Sequence, residues 1–153
     1  MLPICLWFVK TADNPGGVEP RLPEEVRARL SKDRPRHYAV NAQAFFNACE
    51  NSVSAKMMQW WTNMMLKASL RVQLDLQRMA TETDFRPELS RISLPTVIIH
   101  GDSDASNPID RAGRRTAALI PGSQLKVYEH TAHALPITHM ERVNQDLLAF
   151  ARS

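Results

Sequence analysis

Two short segments carry the side chains best suited to chemistry. Residues 100–104 are His-Gly-Asp-Ser-Asp, and residues 129–133 are Glu-His-Thr-Ala-His. An aspartate that accepts a hydrogen bond from one ring nitrogen of a histidine fixes the tautomer and stabilises the imidazolium, so the other nitrogen can act as a base toward a nucleophile. An acid from one segment and a histidine from the other would therefore form two members of a catalytic triad. The residue types alone do not separate this reading from a structural one.

Both segments follow predicted strands. The β-branched run at 95–100 predicts a strand buried on both faces, as in a parallel sheet, and a second strand is predicted at about 124–129. Between them, Asn107 is expected to cap a helix with Pro108 at its first position. In open parallel sheets, sites lie beyond the carboxyl ends of the strands. The two chemistry-bearing segments are therefore expected to meet.

The chain continues to a final amphipathic helix, which we expect after a loop from His130 to Pro136. The pair Thr138 and Glu141 matches the Thr-x-x-Glu capping box that begins many helices. Residues 95–151 thus predict a strand-helix-strand-helix unit, in which a parallel pair is joined by a right-handed crossover.

The earlier part of the chain is predicted to be a loop followed by helices. The Pro- and Gly-rich stretch 10–23 is typical of a loop, and Pro23 is expected to begin a helix that Pro35 ends. A second helix is predicted over 36–48, and Ser54 can cap a third. No internal repeats or low-complexity tracts are present.

Two patterns in this region have more than one interpretation. The third helix carries Met and Trp residues at helical spacing, including Trp60 and Trp61, which fit either plain core or a lid over an apolar pocket. Residues 70–77 alternate apolar and polar, which favours a strand, yet their composition favours a helix.

Composition excludes several classes of protein. The chain has 153 residues, 44% hydrophobic and 23% charged, which is globular and sets a prior of one domain. The net charge of +3 is spread along the chain, so we expect no nucleic-acid partner. The densest basic cluster is interpreted as a solvated helix face, since acids at 24, 25 and 33 dilute it. Its members are Arg27, Arg29, Lys32, Arg34 and Arg36.

Compartment and redox signals are few. Cys5 and Cys49 define neither a disulfide framework nor a metal site. The apolar start at 1–9 is too short to span a membrane and lacks the features of a signal peptide. We therefore expect a cytoplasmic protein with no membrane partner.

Longer stretches of the sequence resemble a known family. Residues 92–104 are Ile-Ser-Leu-Pro-Thr-Val-Ile-Ile-His-Gly-Asp-Ser-Asp, residues 132–135 are Ala-His-Ala-Leu, and residues 138–144 are Thr-His-Met-Glu-Arg-Val-Asn. These resemble the C-terminal end of the α/β-hydrolases, in the cofactor-free, non-heme haloperoxidase and esterase branch. Residues 10–18 resemble the loop that leaves the sixth strand in that branch, and residues 82–85 resemble the segment before the seventh.

The resemblance implies an α/β fold made of the C-terminal part of an α/β-hydrolase. Residues 1–23 would be the loop leaving the sixth strand, 24–90 a helical cap, and 91–153 the C-terminal α/β unit of the core. Within this arrangement the alternating stretch 70–77 is expected to be helical. The resemblance also favours Trp60 and Trp61 as substrate-binding residues.

The same resemblance implies roles for single residues. The triad acid matches Asp104 and the triad histidine matches His133, whereas Asp102 is expected to bond the loop backbone. His100, His130 and His139 are expected to be non-catalytic. No metal and no organic cofactor is implied, and the substrate would be a small ester or similar acyl compound.

One family feature is missing from the sequence. The Gly-x-Ser-x-Gly nucleophile elbow does not occur in it. The chain is therefore expected to supply only the acid and histidine of a serine hydrolase and to be inactive alone. Its partner would be an N-terminal half or a second copy, paired at the open sheet edge.

Two alternatives stay open. The chain could be a non-catalytic interaction module, or pseudoenzyme fragment, that pairs through the exposed sheet edge. The Asp-x-Asp at 102–104 also fits a magnesium-dependent phosphotransferase, but that reading leaves the Ala-His segment unexplained.

Overall fold

A computed structural model describes residues 9–47, 50–51 and 53–153. The expectations for Cys5, for Cys49 and for the apolar start at 1–8 lie outside these residues. In the part of the chain that the structure describes, no helix is long and apolar enough to cross a membrane.

The described residues form a run of helices followed by an α/β unit. In chain order the elements are α1 (Arg21–Lys32), α2 (Arg34–Phe46), α3 (Ala55–Lys67), α4 (Leu70–Glu82), α5 (Arg86–Leu89), β1 (Val97–Gly101), a 3₁₀ turn (Ile109–Arg111), α6 (Gly113–Leu119), β2 (Gln124–Tyr128), α7 (Leu135–Thr138) and α8 (Met140–Ala151).

The corner between α1 and α2 differs from the prediction. Helix α1 begins two residues before Pro23 and ends at Lys32. Pro35 lies in the first turn of α2, where its missing N–H costs nothing, so it does not end α1. Asp33 makes the corner, because its carboxylate accepts a hydrogen bond at 3.0 Å from the backbone N–H of Arg36.

Helices α3 and α4 confirm two predictions. The Ser54 hydroxyl accepts a hydrogen bond from the backbone N–H of Met57 at 3.1 Å, so Ser54 caps α3 as expected. The alternating stretch 70–77 is helical within α4. The turn between these helices is held by Arg34, whose guanidinium donates to the carbonyls of Ala68 at 2.6 Å and Leu66 at 3.1 Å.

The sheet has the predicted parallel pairing. In the described residues β1 pairs with β2, and the register runs from Val97 opposite Gln124 to Gly101 opposite Tyr128. Both strands therefore end at the same edge, where the two chemistry-bearing segments begin. One apolar cluster packs on this pair and is formed by Ile99, Tyr128, Leu135 and Val143.

The segment between the strands corrects the predicted Asn107 cap. A 3₁₀ turn follows Pro108, and Ala112 has the non-helical angles φ −126° and ψ −88°, so α6 begins only at Gly113. The backbone N–H of Asn107 is bonded to the Asp104 carboxylate instead. The Asp104 side chain thus shapes this loop, a part that the prediction gave to Asn107.

The predicted capping box is also wrong. Thr138 is the last residue of α7, which lies partly inside the predicted His130–Pro136 loop, and its hydroxyl lies 2.9 Å from Nδ1 of His139. Helix α8 begins after His139, and no side chain caps it. Pro136 lies in the first turn of α7, which allows this extra turn.

A half-buried polar cluster attaches α8 to the sheet. The fully buried Tyr128 donates its hydroxyl to Oδ2 of Asp146 at 2.6 Å, and Nζ of Lys126 lies 2.6 Å from Oδ1. Burial raises the pKa of Tyr128 to about 12, and the bond to Asp146 acts in the same direction. The bonds from Lys126 and then Tyr128 lower the pKa of Asp146. Arg142 covers the ring of Tyr128 at 3.8 Å.

Replacing Asp146→Asn should lower the free energy of unfolding by about 1–3 kcal/mol at neutral pH, because Lys126 loses its ion pair and Tyr128 its charged acceptor. The pKa of Asp146 is lowered in the folded state, so this stabilisation is present above the ordinary aspartate pKa. It is lost as pH falls through the lowered folded-state value. Urea unfolding at neutral pH and below about pH 4 measures the difference between the two proteins.

Asp110→Asn is the matched control, since Asp110 is 82% exposed and forms an ion pair with Arg114 at the surface. Such a pair contributes about 0–1 kcal/mol. An Asp146→Asn effect no larger than the control, or one that persists undiminished in acid, would contradict the assignment.

Candidate active site

The site depends on a close approach between the loops that follow the two strands. A Cβ added to Gly101 would lie 2.0 Å from the carbonyl oxygen of Thr131, so only glycine fits there without a shift of the backbone. The backbone N–H of Ser103 donates to the same carbonyl at 3.1 Å. The segments 100–104 and 129–133 are thus in direct backbone contact.

Asp104 is held rigidly by this loop. The residue is 5% exposed, and its Oδ1 accepts hydrogen bonds from the backbone N–H groups of Ser106 at 2.9 Å and Asn107 at 2.8 Å. This is the local turn that an aspartate side chain forms with the backbone two and three residues on. Its second oxygen, Oδ2, is left to face the neighbouring loop.

His133 meets that oxygen directly. Its Nδ1 lies 2.6 Å from Oδ2 of Asp104, the length of a short, charge-assisted hydrogen bond. The carboxylate can only accept, so Nδ1 carries the proton and Nε2 is the basic nitrogen of the neutral ring. In the described part of the chain Nε2 has no hydrogen-bond partner. The pair thus has the geometry expected of an acid and histidine that act together.

The helical layer also holds His133. The Phe45 ring lies 5.1 Å from the His133 ring, centroid to centroid, and the Phe45 carbonyl accepts from the backbone N–H of Ala134 at 3.0 Å. The end of α2 is therefore attached to the loop that carries the histidine. This contact fixes one side of the imidazole against an aromatic wall.

His100 supports the Asp104 loop from the strand. Its Nε2 lies 2.9 Å from the carbonyl oxygen of Asn107 and 3.6 Å from Oδ2 of Asp104. A Cβ on Gly113 would approach Nδ1 of His100 to 2.9 Å, so the ring is packed tightly on α6. His100 thus supports the Asp104 loop from the end of the strand.

The remaining candidates lie apart from the pair. The Asp102 carboxylate accepts from the Ser103 hydroxyl at 3.0 Å, and it is the Asp104 carboxylate that accepts from backbone N–H groups of the loop. His130 is exposed, with a left-handed φ of 54°. His139 lies 3.4 Å from the Thr131 hydroxyl. Among the described residues no three His, Cys, Asp or Glu side chains converge to hold a metal ion.

The two tryptophans have different surroundings. Trp61 is 8% exposed and stacks on Phe45 at 4.4 Å, with Tyr38 edge-on at 5.6 Å. It is therefore one ring removed from His133. Trp60 is 51% exposed and does not line either cavity described below.

Two cavities lie on either side of Phe45 and Asn107, the residues that contact His133 and Asp104. One, of about 410 Å³, is lined by Asp104, by His133 and by the four consecutive residues 97–100. Consecutive strand residues face opposite sides, so this cavity runs along the edge of β1. The other is an open groove of about 1050 Å³ between the helices and the Asp104 loop. Phe45 and Asn107 line both.

Sequence reasoning missed the parts played by Phe45 and Asn107. For Asn107 a local signal exists, since an aspartate three residues before an Asn-Pro pair suits an aspartate-centred turn as well as a helix cap. Phe45 has no local signal, because its contact with His133 spans 88 residues of chain and depends on how the helices sit over the sheet.

With the geometry established, comparisons place the chain in a family. Residues 3–140 match the family described as the alpha/beta hydrolase fold, and the chain belongs to that family. It is 34% identical over 150 residues to a non-heme chloroperoxidase of Streptomyces lividans and 33% identical over 150 residues to a bifunctional esterase/perhydrolase of Acinetobacter calcoaceticus. Its structure is similar to that of a bromoperoxidase from Bacillus anthracis, with a TM-score of 0.90 and 29% identity.

The coverage of these matches is unequal. They take in 95%, 95% and 98% of this chain but 54%, 54% and 55% of the three relatives. The chain thus spans about half the length of the relatives it matches. The expected family, its haloperoxidase and esterase branch, and the partial α/β-hydrolase fold are confirmed.

Replacing Gly101→Ala should lower the free energy of unfolding by about 1–3 kcal/mol, because the added methyl group overlaps the Thr131 carbonyl and the loops must separate. Separation would lengthen the Asp104–His133 bond. The low-field proton NMR signal of the His133 Nδ1–H should therefore weaken or disappear. Urea unfolding and proton NMR at low temperature measure the two effects.

Gly16→Ala is the matched control, since nothing lies within 4 Å of a Cβ at that position. Equal stability of the two variants, or an unchanged low-field signal in Gly101→Ala, would show that the close approach does not position the pair.

Proposed function

We propose that this chain supplies the acid and the histidine of a serine hydrolase that acts on small esters or similar acyl compounds. Asp104 orients His133 and stabilises its protonated form, and Nε2 of His133 removes the proton from a serine hydroxyl. The same nitrogen then returns the proton to the leaving group. The observation that carries this proposal is the 2.6 Å bond between the buried Asp104 and Nδ1 of His133.

The relatives support the choice of acyl chemistry. One relative is named as an esterase/perhydrolase and others as non-heme haloperoxidases, so ester hydrolysis and peracid formation are the reactions to test first. In perhydrolysis hydrogen peroxide takes the place of water in attacking the acyl-enzyme. Halide oxidation would then be a secondary reaction of the released peracid.

The nucleophile must come from outside this sequence, because no Gly-x-Ser-x-Gly elbow occurs in it. Without a nucleophile, the acid and histidine cannot form a covalent acyl intermediate. The cavity along the edge of β1 supports a place for the missing part, since further parallel strands would pair there. An N-terminal half that carries the serine is the partner proposed, and residues 24–90 are the proposed cap over the site.

A chimera tests this assignment. Residues 9–153 would replace the matching part of the Streptomyces lividans chloroperoxidase, which retains its own remaining half. We expect the chimera to hydrolyse a chromogenic short-chain ester and the isolated chain to show little or no turnover. His133→Ala should reduce kcat of the chimera by at least about 10³-fold, since the base is lost.

His130→Asn is the control, because asparagine tolerates the left-handed backbone at this exposed histidine. It should retain the activity of the chimera. A folded chimera with no esterase activity, or an active one that His133→Ala leaves unchanged, would exclude the proposed role. Robust turnover by the isolated chain, lost in His133→Ala, would place the nucleophile within this sequence.

A second candidate is a non-catalytic module that pairs through the edge of β1 opposite β2. The observation that favours it is that β2 is the one strand partner of β1 among the described residues, so the other edge can accept another strand. Light scattering on the isolated chain separates the two. A concentration-dependent dimer together with an inactive chimera would favour the module, whereas a stable monomer that binds no hydrophobic dye would exclude it.

A further inference from the structure

The large groove between the helices and the Asp104 loop is apolar along its wall and basic at one end. We call it the α2 groove, because it follows α2 from the α1–α2 corner to Phe45. Its apolar wall is formed by Leu22, Val26, Val40, Phe45 and Trp61. At the Phe45 end it reaches the ring that contacts His133 and the backbone that bonds Asp104.

The opposite end of the groove is basic. Arg29, Lys32 and Arg36 line it, and all three lie at the α1–α2 corner, within the last turn of α1 and the first of α2. Arg36 and Phe45 are nine positions apart on α2, which places the corner about 13 Å along the helix axis from the aromatic end. The groove thus runs from a cationic rim, over an apolar wall, to the candidate active site.

In the structure, the basic cluster at residues 27–36 separates into side chains that tie helices together and side chains that line the groove. Arg27 forms an ion pair with Glu82 at 3.2 Å, and Arg34 bonds the α3–α4 turn, so these two tie helices together. In the described residues neither Lys32 nor Arg36 has a carboxylate within ion-pair distance. Arg29 is 4.0 Å from Glu25, a weak surface contact. The side chains without strong partners are those that line the groove.

Two further titratable groups face the groove and leave its charge positive. Asp33 lines it, but its carboxylate is occupied by the backbone N–H of Arg36. His37 also lines it, and burial, followed by the charge of Arg29, lowers its pKa, so it is neutral at neutral pH. The groove therefore carries three cationic side chains and one carboxylate, and that carboxylate already caps α2.

We propose that the α2 groove selects acyl substrates that carry a carboxylate at the end remote from the reacting ester. The aliphatic chain lies on the apolar wall, and the carboxylate meets Arg29, Lys32 and Arg36 at the corner. The ester lies at the end of the groove beside Phe45, whose ring contacts His133. This names a substrate class for the proposed hydrolase, on which it rests only in placing the ester next to His133.

Binding to the chain itself tests this substrate class without any turnover. Monomethyl suberate and dimethyl suberate have the same chain and one ester in common, and they differ in a single remote carboxylate. We expect the monoester to bind about tenfold more tightly at low salt, since each exposed charge contact contributes a few-fold. High salt should remove the preference. NMR titration should shift Trp61, Phe45 and the Arg36 side chain together.

The variant pair is Lys32→Gln/Arg36→Gln against Arg71→Gln/Arg78→Gln. Both change the charge by the same amount, and the second pair lies on exposed positions of α4 that do not line the groove. The first pair should abolish the preference for the monoester and leave diester binding unchanged, while the second should retain the preference. A heteronuclear spectrum of each variant checks that it is folded.

Three results would overturn the proposal. They are equal affinity for the monoester and the diester, a preference that survives Lys32→Gln/Arg36→Gln, and inorganic phosphate binding as tightly as the monoester. The last would identify a general anion site to which the apolar wall contributes nothing. Because binding is measured without catalysis, an inactive chimera beside a selective groove would contradict only the hydrolase assignment.

Discussion

The candidate site depends on one backbone contact, the approach of Gly101 to the carbonyl of Thr131. Parallel pairing ends both strands at the same edge, but it does not by itself join the loops that follow. The contact does so, and the Ser103 N–H bond reinforces it. With the loops in register, the Asp104 turn needs no further adjustment to present Oδ2 to His133. We therefore expect the short bond between Asp104 and His133 to depend on the glycine at position 101.

The strands and their pairing were predictable because the short β-branched run at 97–99 favours a strand of a parallel sheet. The Ser54 cap was predictable for a similarly local reason. Errors occurred where two local rules competed. Pro35 can end one helix or begin the next, and Asn107 can cap a helix or donate to an aspartate. A local side-chain bond decided both, because Asp33 accepts from the backbone N–H of Arg36 and Asp104 from that of Asn107.

For the site, the identity of the pair was predictable and its surroundings were not. Asp104 and His133 follow adjacent strands, so topology and family resemblance both indicated them. The aromatic wall at Phe45 depends on the packing of α2 over the sheet, which no local pattern encodes. The basic cluster shows the same limit. Nothing in the sequence distinguishes its five basic residues from one another. In the structure, Arg27 and Arg34 bind other helices, whereas the other three line a groove.

In the proposed enzyme the two cavities would hold different partners, the nucleophile-bearing part and the substrate chain. The cavity along β1 meets His133 from the side of the sheet, where a nucleophile-bearing strand and turn would arrive. The α2 groove lies on the helical side, where a substrate chain would lie, and it ends at Phe45. Phe45 lines both cavities and contacts the imidazole ring. Because the serine oxygen must bond to the carbonyl carbon of the ester, the two would meet at Nε2 of His133, which takes the proton from the serine and returns it to the leaving group.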